Sequence, residues 1–120
     1  MAFITNQLGS IEIQDDVVAS IVGYSIGECY GVVGMAAKRA GDGLAELLNW
    51  ENIRKGVRVS HKGSSVTIDV FVIVEYGISI AAVAESAIQA IKYNVETNTG
   101  LTIQAVNVIV EGIRVQAEED

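Results

Sequence analysis

Proline is missing from all 120 residues, and cysteine and histidine occur once each. Average usage would supply about six prolines. Their absence removes polyproline recognition segments and leaves the turns to twelve glycines and to asparagine. The lone Cys29 cannot close an internal disulfide and fits a reducing cytoplasm. One cysteine and one histidine also fall short of the three or four nitrogen and sulfur ligands of a zinc site. Long apolar runs are absent too. The longest stretch without a charged residue or histidine, Thr97 to Val110, has 14 residues, against the ~20 that cross a bilayer as a helix. No basic residue precedes an apolar run at the N-terminus, so a secretory signal is not expected. Eight bases face 15 acids for a net charge of −7. Such a chain repels phosphate backbones, which disfavours nucleic-acid binding as its main task.

What is present points to a packed fold. Half the residues are apolar and the mean hydropathy is +0.37, which excludes intrinsic disorder. A mass of 12.7 kDa suits one domain over residues 1–120, its core about 9–115. Valine and isoleucine total 32 against five leucines. β-Branched side chains pack well on a pleated sheet and lose rotamers in a helix, so sheet should form much of the core.

Periodicity along the chain predicts the elements. Ile11 and Ile13 alternate with polar neighbours, a short strand over 9–13. Asp15 and Asp16 then sit where a helix start wants acceptors and negative charge. Val17, Val18, Ile21, Val22, Ser25 and Ile26 repeat at helical spacing up to a stop before Gly31. Val32, Val33 and Met35 fit either a strand or a bend. Leu44, Leu47 and Leu48 predict a short helix over 43–50. Strands over 57–60 and 66–75 are joined at Lys62-Gly63-Ser64. In the second, Val66, Ile68, Val70, Val72 and Val74 make one apolar face. The other face begins polar (Ser65, Thr67, Asp69) and turns apolar at Phe71 and Ile73. Ser79 can cap a helix presenting Ile80, Val83, Ala87, Ile91 and Val95, with Asn98 and Gly100 at its end. The last strand, from Leu101 to about 115, changes its inward phase by one residue twice, which predicts bulges. The expected architecture is α+β: one two-layer domain with a largely antiparallel sheet of about four strands and two main helices on one face.

Catalytic chemistry finds little footing. Cys29 and His61 are far apart in sequence with no orienting third group, and Gly41-x-Gly43 lacks the pattern of a dinucleotide loop. Asp69 and Glu75 share a strand face six residues apart, roughly 20 Å at strand rise, too far for a glycosidase-type pair. Charge is distributed unevenly instead. Six of the eight bases (Lys38, Arg39, Arg54, Lys55, Arg58, Lys62) fall within 38–62, where only Asp42, Glu46 and Glu51 oppose them, so this window is +3 and the remainder −10. It reads as a solvated loop region or as a docking surface for an acidic partner, another copy or an anionic headgroup.

Several pieces in order complete a pattern: Gly9-x-Ile11-x-Ile13, Gly31-Val32-Val33-Gly34-Met35, Gly56-Val57-Arg58-Val59, Val74-Glu75-Tyr76-Gly77-Ile78-Ser79-Ile80, Val95-Glu96 with Thr99-Gly100-Leu101, and Val106-Asn107-Val108. Together they resemble the alkaline shock protein/general stress protein (Gls-type) family, the envelope stress response proteins of Gram-positive bacteria, as a short member. The resemblance implies a cytoplasmic, non-enzymatic domain without cofactor or metal, linked to envelope homeostasis. Its partners would be itself or a related membrane-anchored protein, with no nucleic acid and at most peripheral membrane contact. A second implied role is regulation of a lipid-metabolism enzyme, acetyl-CoA carboxylase or fatty-acid kinase. No catalytic residue carries over. The residues expected to meet a partner are Lys38, Arg39, Arg54, Lys55 and Arg58 for their charge, and Phe71 and Ile73 as an apolar patch on a polar strand face.

Overall fold

A computed structural model describes residues 1–37, 48 and 50–115. Its elements are β1 (Ala2–Asn6), β2 (Gly9–Ile13), α1 (Asp15–Gly27), β3 (Val32–Met35), a 3-10 helix (Trp50–Gly56), β4 (Val57–Lys62), β5 (Ser65–Glu75), α2 (Ile80–Thr99) and β6 (Thr102–Arg114). The helix expected over 43–50 and the acidic tail fall mainly outside the described residues.

β5 is the axis of the four-stranded sheet. Along one edge it pairs antiparallel with β4 through residues 65–70 and then with β3 through 72–74. Along the other edge it pairs with β6, in parallel, from Ser65↔Thr102 to Glu75↔Arg114. Parallel neighbours need a crossover connection, and α2 provides it. The remaining pairing, β1 with β2, is an antiparallel hairpin forming its own two-stranded sheet. Thus α+β with a mostly antiparallel sheet holds, and the longest ladder is the parallel one.

The even positions of β5 face the helices. Val66, Ile68, Val70, Val72 and Val74 are buried together with Val18, Val22 and Ile26 of α1 and Ala87, Ile91 and Val95 of α2. Each valine or isoleucine among them contributes about 1.5–3 kcal/mol on burial. β6 keeps its valines on that side with two register shifts: one between the Val66 and Thr67 pairings that skips Gln104, another between the Val72 and Ile73 pairings that skips Glu111. These are the two predicted bulges.

Local chemistry sets the helix ends. Ser79 caps α2 by accepting from the Ala82 N–H at 3.3 Å, and Gly100 closes it with φ +80°. At α1 the cap position belongs to Gln14, which makes no side-chain cap bond. Asp15 and Asp16 lie in the first turn, where negative charge meets the positive end of the helix. The one buried polar side chain of the described core, Ser25, donates to the Ile21 carbonyl and accepts from Asn94 Nδ2, both at 2.8 Å, fastening α1 to α2.

Candidate functional site

The sheet face turned away from the helices carries a polar row across three strands. Arg58, Asp69 and Asn107 are register partners on β4, β5 and β6. Asn107 Nδ2 donates to Asp69 Oδ1 at 2.8 Å, and Arg58 Nη1 lies 3.6 Å from Asp69 Oδ2. The Arg58 guanidinium also sits over the Phe71 ring, 5.7 Å from its centroid. Asp69 is thus occupied by two neighbours, and Arg58 is directed inward on its own sheet. Toward the β4–β5 turn, Ser60, Ser65, Thr67, Lys62 and Gln104 line a shallow cavity of about 140 Å³.

This geometry corrects one expectation. Phe71 is 7% and Ile73 2% exposed, so they form no open patch. The apolar end of that strand face is part of the interior, and Arg58 stacks on Phe71 from outside. The basic window is also divided. Arg54, at the end of the 3-10 helix, reaches the helix layer, its Nη1 3.1 and 3.0 Å from the two carboxylate oxygens of Asp16. Arg58 lies on the sheet face opposite the helices, and Lys55 is exposed. Lys38 and Arg39 lie outside the described residues. Sequence proximity gathered these cations; the fold spreads the described ones over two faces.

The contact residues expected from sequence leave out the surface aromatics, although their type is visible there. All four tyrosines, Tyr24, Tyr30, Tyr76 and Tyr93, are between 61% and 83% exposed. They fall into two groups. Tyr24 lines a groove of about 380 Å³ between the helices with Ser20, Ile21, Asn94 and Asn98, and Tyr93 is the neighbour of Asn94. Tyr30 and Tyr76 flank a ladder end, where the Glu75 N–H donates to the Gly31 carbonyl at 3.0 Å, beside a cavity of about 280 Å³. Tyrosine combines a large apolar ring with a polar tip and is enriched where proteins meet. Tyr24 and Tyr93 at helical positions off the apolar stripe were the available signal.

The ionisable groups behave as structural ones. Burial, and then the Glu28 carboxylate, push the Cys29 thiol above its ordinary value, and its Sγ donates to the Ser25 carbonyl at 3.2 Å. His61 Nε2 instead lies 2.6 Å from the amino nitrogen of Met1. The Ile103 N–H, with the Lys92 ammonium second, holds the Glu96 carboxyl below the usual range. Among the described residues no three His, Cys, Asp or Glu side chains are placed to hold a metal ion, and no helix is long and apolar enough to cross a membrane.

Comparison with known proteins adds four findings. A family model for the alkaline shock protein 23 family, described as having a cell envelope-related function, matches residues 4–115. An uncharacterized protein, YloU of Bacillus subtilis (strain 168), is 42% identical over 108 residues, which are 89% of this chain and 90% of that one. A stress response regulator gls24 homolog of Streptococcus pyogenes serotype M3 is 26% identical over 110 residues, 92% of this chain and 62% of its own. Among solved structures, MamM-CTD superposes with a TM-score of 0.50 at 14% identity over 82% of this chain and 99% of that one. That likeness is one of fold alone.

Proposed function

Because the chain belongs to the alkaline shock protein 23 family, whose described role is cell envelope-related, we propose that it is a non-enzymatic contact protein of the envelope stress response. It works on the cytoplasmic side of the membrane by binding other proteins: further copies of itself, or a membrane-anchored relative that holds it near the envelope. The observation that carries this reading is the set of four exposed tyrosines in two groups, one over the inter-helix groove and one at the Gly31–Glu75 end. Interfaces are anchored by few large aromatic side chains set in apolar or amide-lined depressions. The basic side chains have a smaller part. Arg54 and Arg58 already hold Asp16 and Asp69, so they tune long-range attraction more than they form the contact.

The test is photocrosslinking in the native cell from a light-activated residue at each of Tyr24, Tyr30, Tyr76 and Tyr93. Discrete protein adducts of fixed mass from at least one group are expected. Only diffuse background at all four positions, with the protein folded and abundant, would overturn the reading.

A further inference from the structure

β6 is the longest strand among the described residues, 13 residues, and among them only one of its edges is paired with another strand. Along its length it pairs with β5, and among the described residues no strand pairs with its outer edge. In a parallel ladder every second residue turns its N–H and C=O away from its neighbour, so among the described residues this edge presents donors and acceptors that no other strand takes up. Proteins protect such edges with proline, charge, bulges or an inserted side chain. Here the protections stand at the two ends. Gln104 and Glu111 are bulged, and Glu96 Oε2 accepts from the Ile103 N–H at 2.9 Å. Between them, residues 105–110 form a regular span with no charge and no proline, and Val108, Ile109 and Val110 are only half-buried.

What fits a bare strand edge is another extended strand, and this chain carries one that matches itself. In an antiparallel pair the residues directly opposite share a face of the sheet. A two-fold axis at Val108 sets Val106 opposite Val110, Val108 opposite itself and Asn107 opposite Ile109. The helix-facing side then stacks valine on valine, a favourable β-branched pairing, and the half-buried Val108 and Val110 are covered from both copies. The same alignment carries the Arg114 end of one β6 toward the Ile103 end of the other, where the Glu96 carboxylate lies, so opposite charges approach. A parallel alignment brings no such pair together.

We propose that the outer edge of β6 pairs antiparallel with the same edge of a second copy about a two-fold axis near Val108, joining two four-stranded sheets into one. The proposal rests on the reading of this chain as a contact protein and names one partner and one surface for it.

Sedimentation of the full chain from low to high micromolar concentration, with hydrogen exchange on the same samples, tests it. The mass doubles from 12.7 kDa, and alternate amides within 105–110 become protected as it does. Ile109→Lys, which places a charge opposite Asn107 and beside its own counterpart in the partner, weakens dimerisation roughly tenfold or more while the monomer's circular dichroism is kept. Should that variant lose its fold, the concentration-dependent protection of the wild-type amides still decides. Doubling without that protection puts the contact elsewhere and overturns the β6 assignment while leaving the contact reading in place. A mass that stays at one copy overturns it as well, and the crosslinking result then stands alone for or against other partners.

Discussion

Gly31 offers a sharp test of how the ladder end is packed. Its φ is +89°, and a Cβ built there would lie 2.8 Å from Val83 Cγ2 and 2.9 Å from Ile78 Cδ1. Retreat is blocked, because the Gly31 carbonyl accepts from the Glu75 N–H and the next residues run straight into β3. Gly77 has nearly the same backbone, φ +94°, with nothing within 4 Å of its notional Cβ. Alanine at either site carries the left-handed strain of about 1–2 kcal/mol and the same loss of unfolded-state freedom. Only at Gly31 is overpacking added, about 1–3 kcal/mol. Gly31→Ala should therefore cost about 2–5 kcal/mol in total and Gly77→Ala about 1–2. At roughly 4 °C per kcal/mol for a domain of this size, the melting temperature falls by about 8–20 °C and 4–8 °C respectively. Urea unfolding followed by circular dichroism measures both, with an unchanged m-value as the sign that only stability moved. Equal losses at the two glycines would refute the packing argument, since backbone strain would then explain everything.

Other consequences are as direct. Ser25→Ala removes the acceptor of Asn94 Nδ2 and should destabilise by about 1–3 kcal/mol; Asn94→Ala in the Ser25→Ala background should add less than it does alone, as a double-mutant cycle in urea will show. The Glu96 carboxyl is held low in the folded state, so its contribution is present at neutral pH and fades as pH falls through that lowered value. The stability gap between wild type and Glu96→Gln should accordingly be constant near neutrality and close only in acid. Cys29, with its thiol pushed up by burial, should react with a maleimide more slowly than free cysteine at pH 7 and accelerate later on raising pH. Arg54→Ala, removing a pair exposed on both sides, should change stability by no more than about 1 kcal/mol.

How far the fold could be read depended on whether the signal was local. β5 is apolar at every even position from Val66 to Val74 while its other face starts polar, and that decided which side meets the helices. The phase slips in β6 marked the bulges at Gln104 and Glu111, because an extra residue must reverse every later side chain. Ser79 and Gly100 announced the ends of α2. The first strand, Ala2–Asn6, escaped because its β-formers, Phe3, Ile4 and Thr5, make a run of only three and gain their structure from pairing with β2. Strand order was beyond local reading: that β4 and β3 share one edge of β5 while β6 takes the other is decided by the α2 crossover.

The candidate surfaces were less legible for the same reason. Alternation in β5 placed Phe71 and Ile73 on the face opposite the helices, but it carries no information on what lies over that face. Charge counting grouped Arg54 with Arg58, yet the passage from 3-10 helix to strand between them directs one to α1 and the other to the far side of the sheet. The uncharged run from Thr97 to Val110, by contrast, was plain in the sequence. Its meaning as an exposed edge needed the pairing of β6 with β5.

The measurement closest to the central claim is complementation in cells lacking the gene. If the tyrosines anchor its contacts as proposed, a folded Tyr24→Ser/Tyr93→Ser/Tyr30→Ser/Tyr76→Ser chain, present at wild-type abundance and with β6 untouched, should fail to restore growth under envelope stress. Full restoration by that chain would contradict the account.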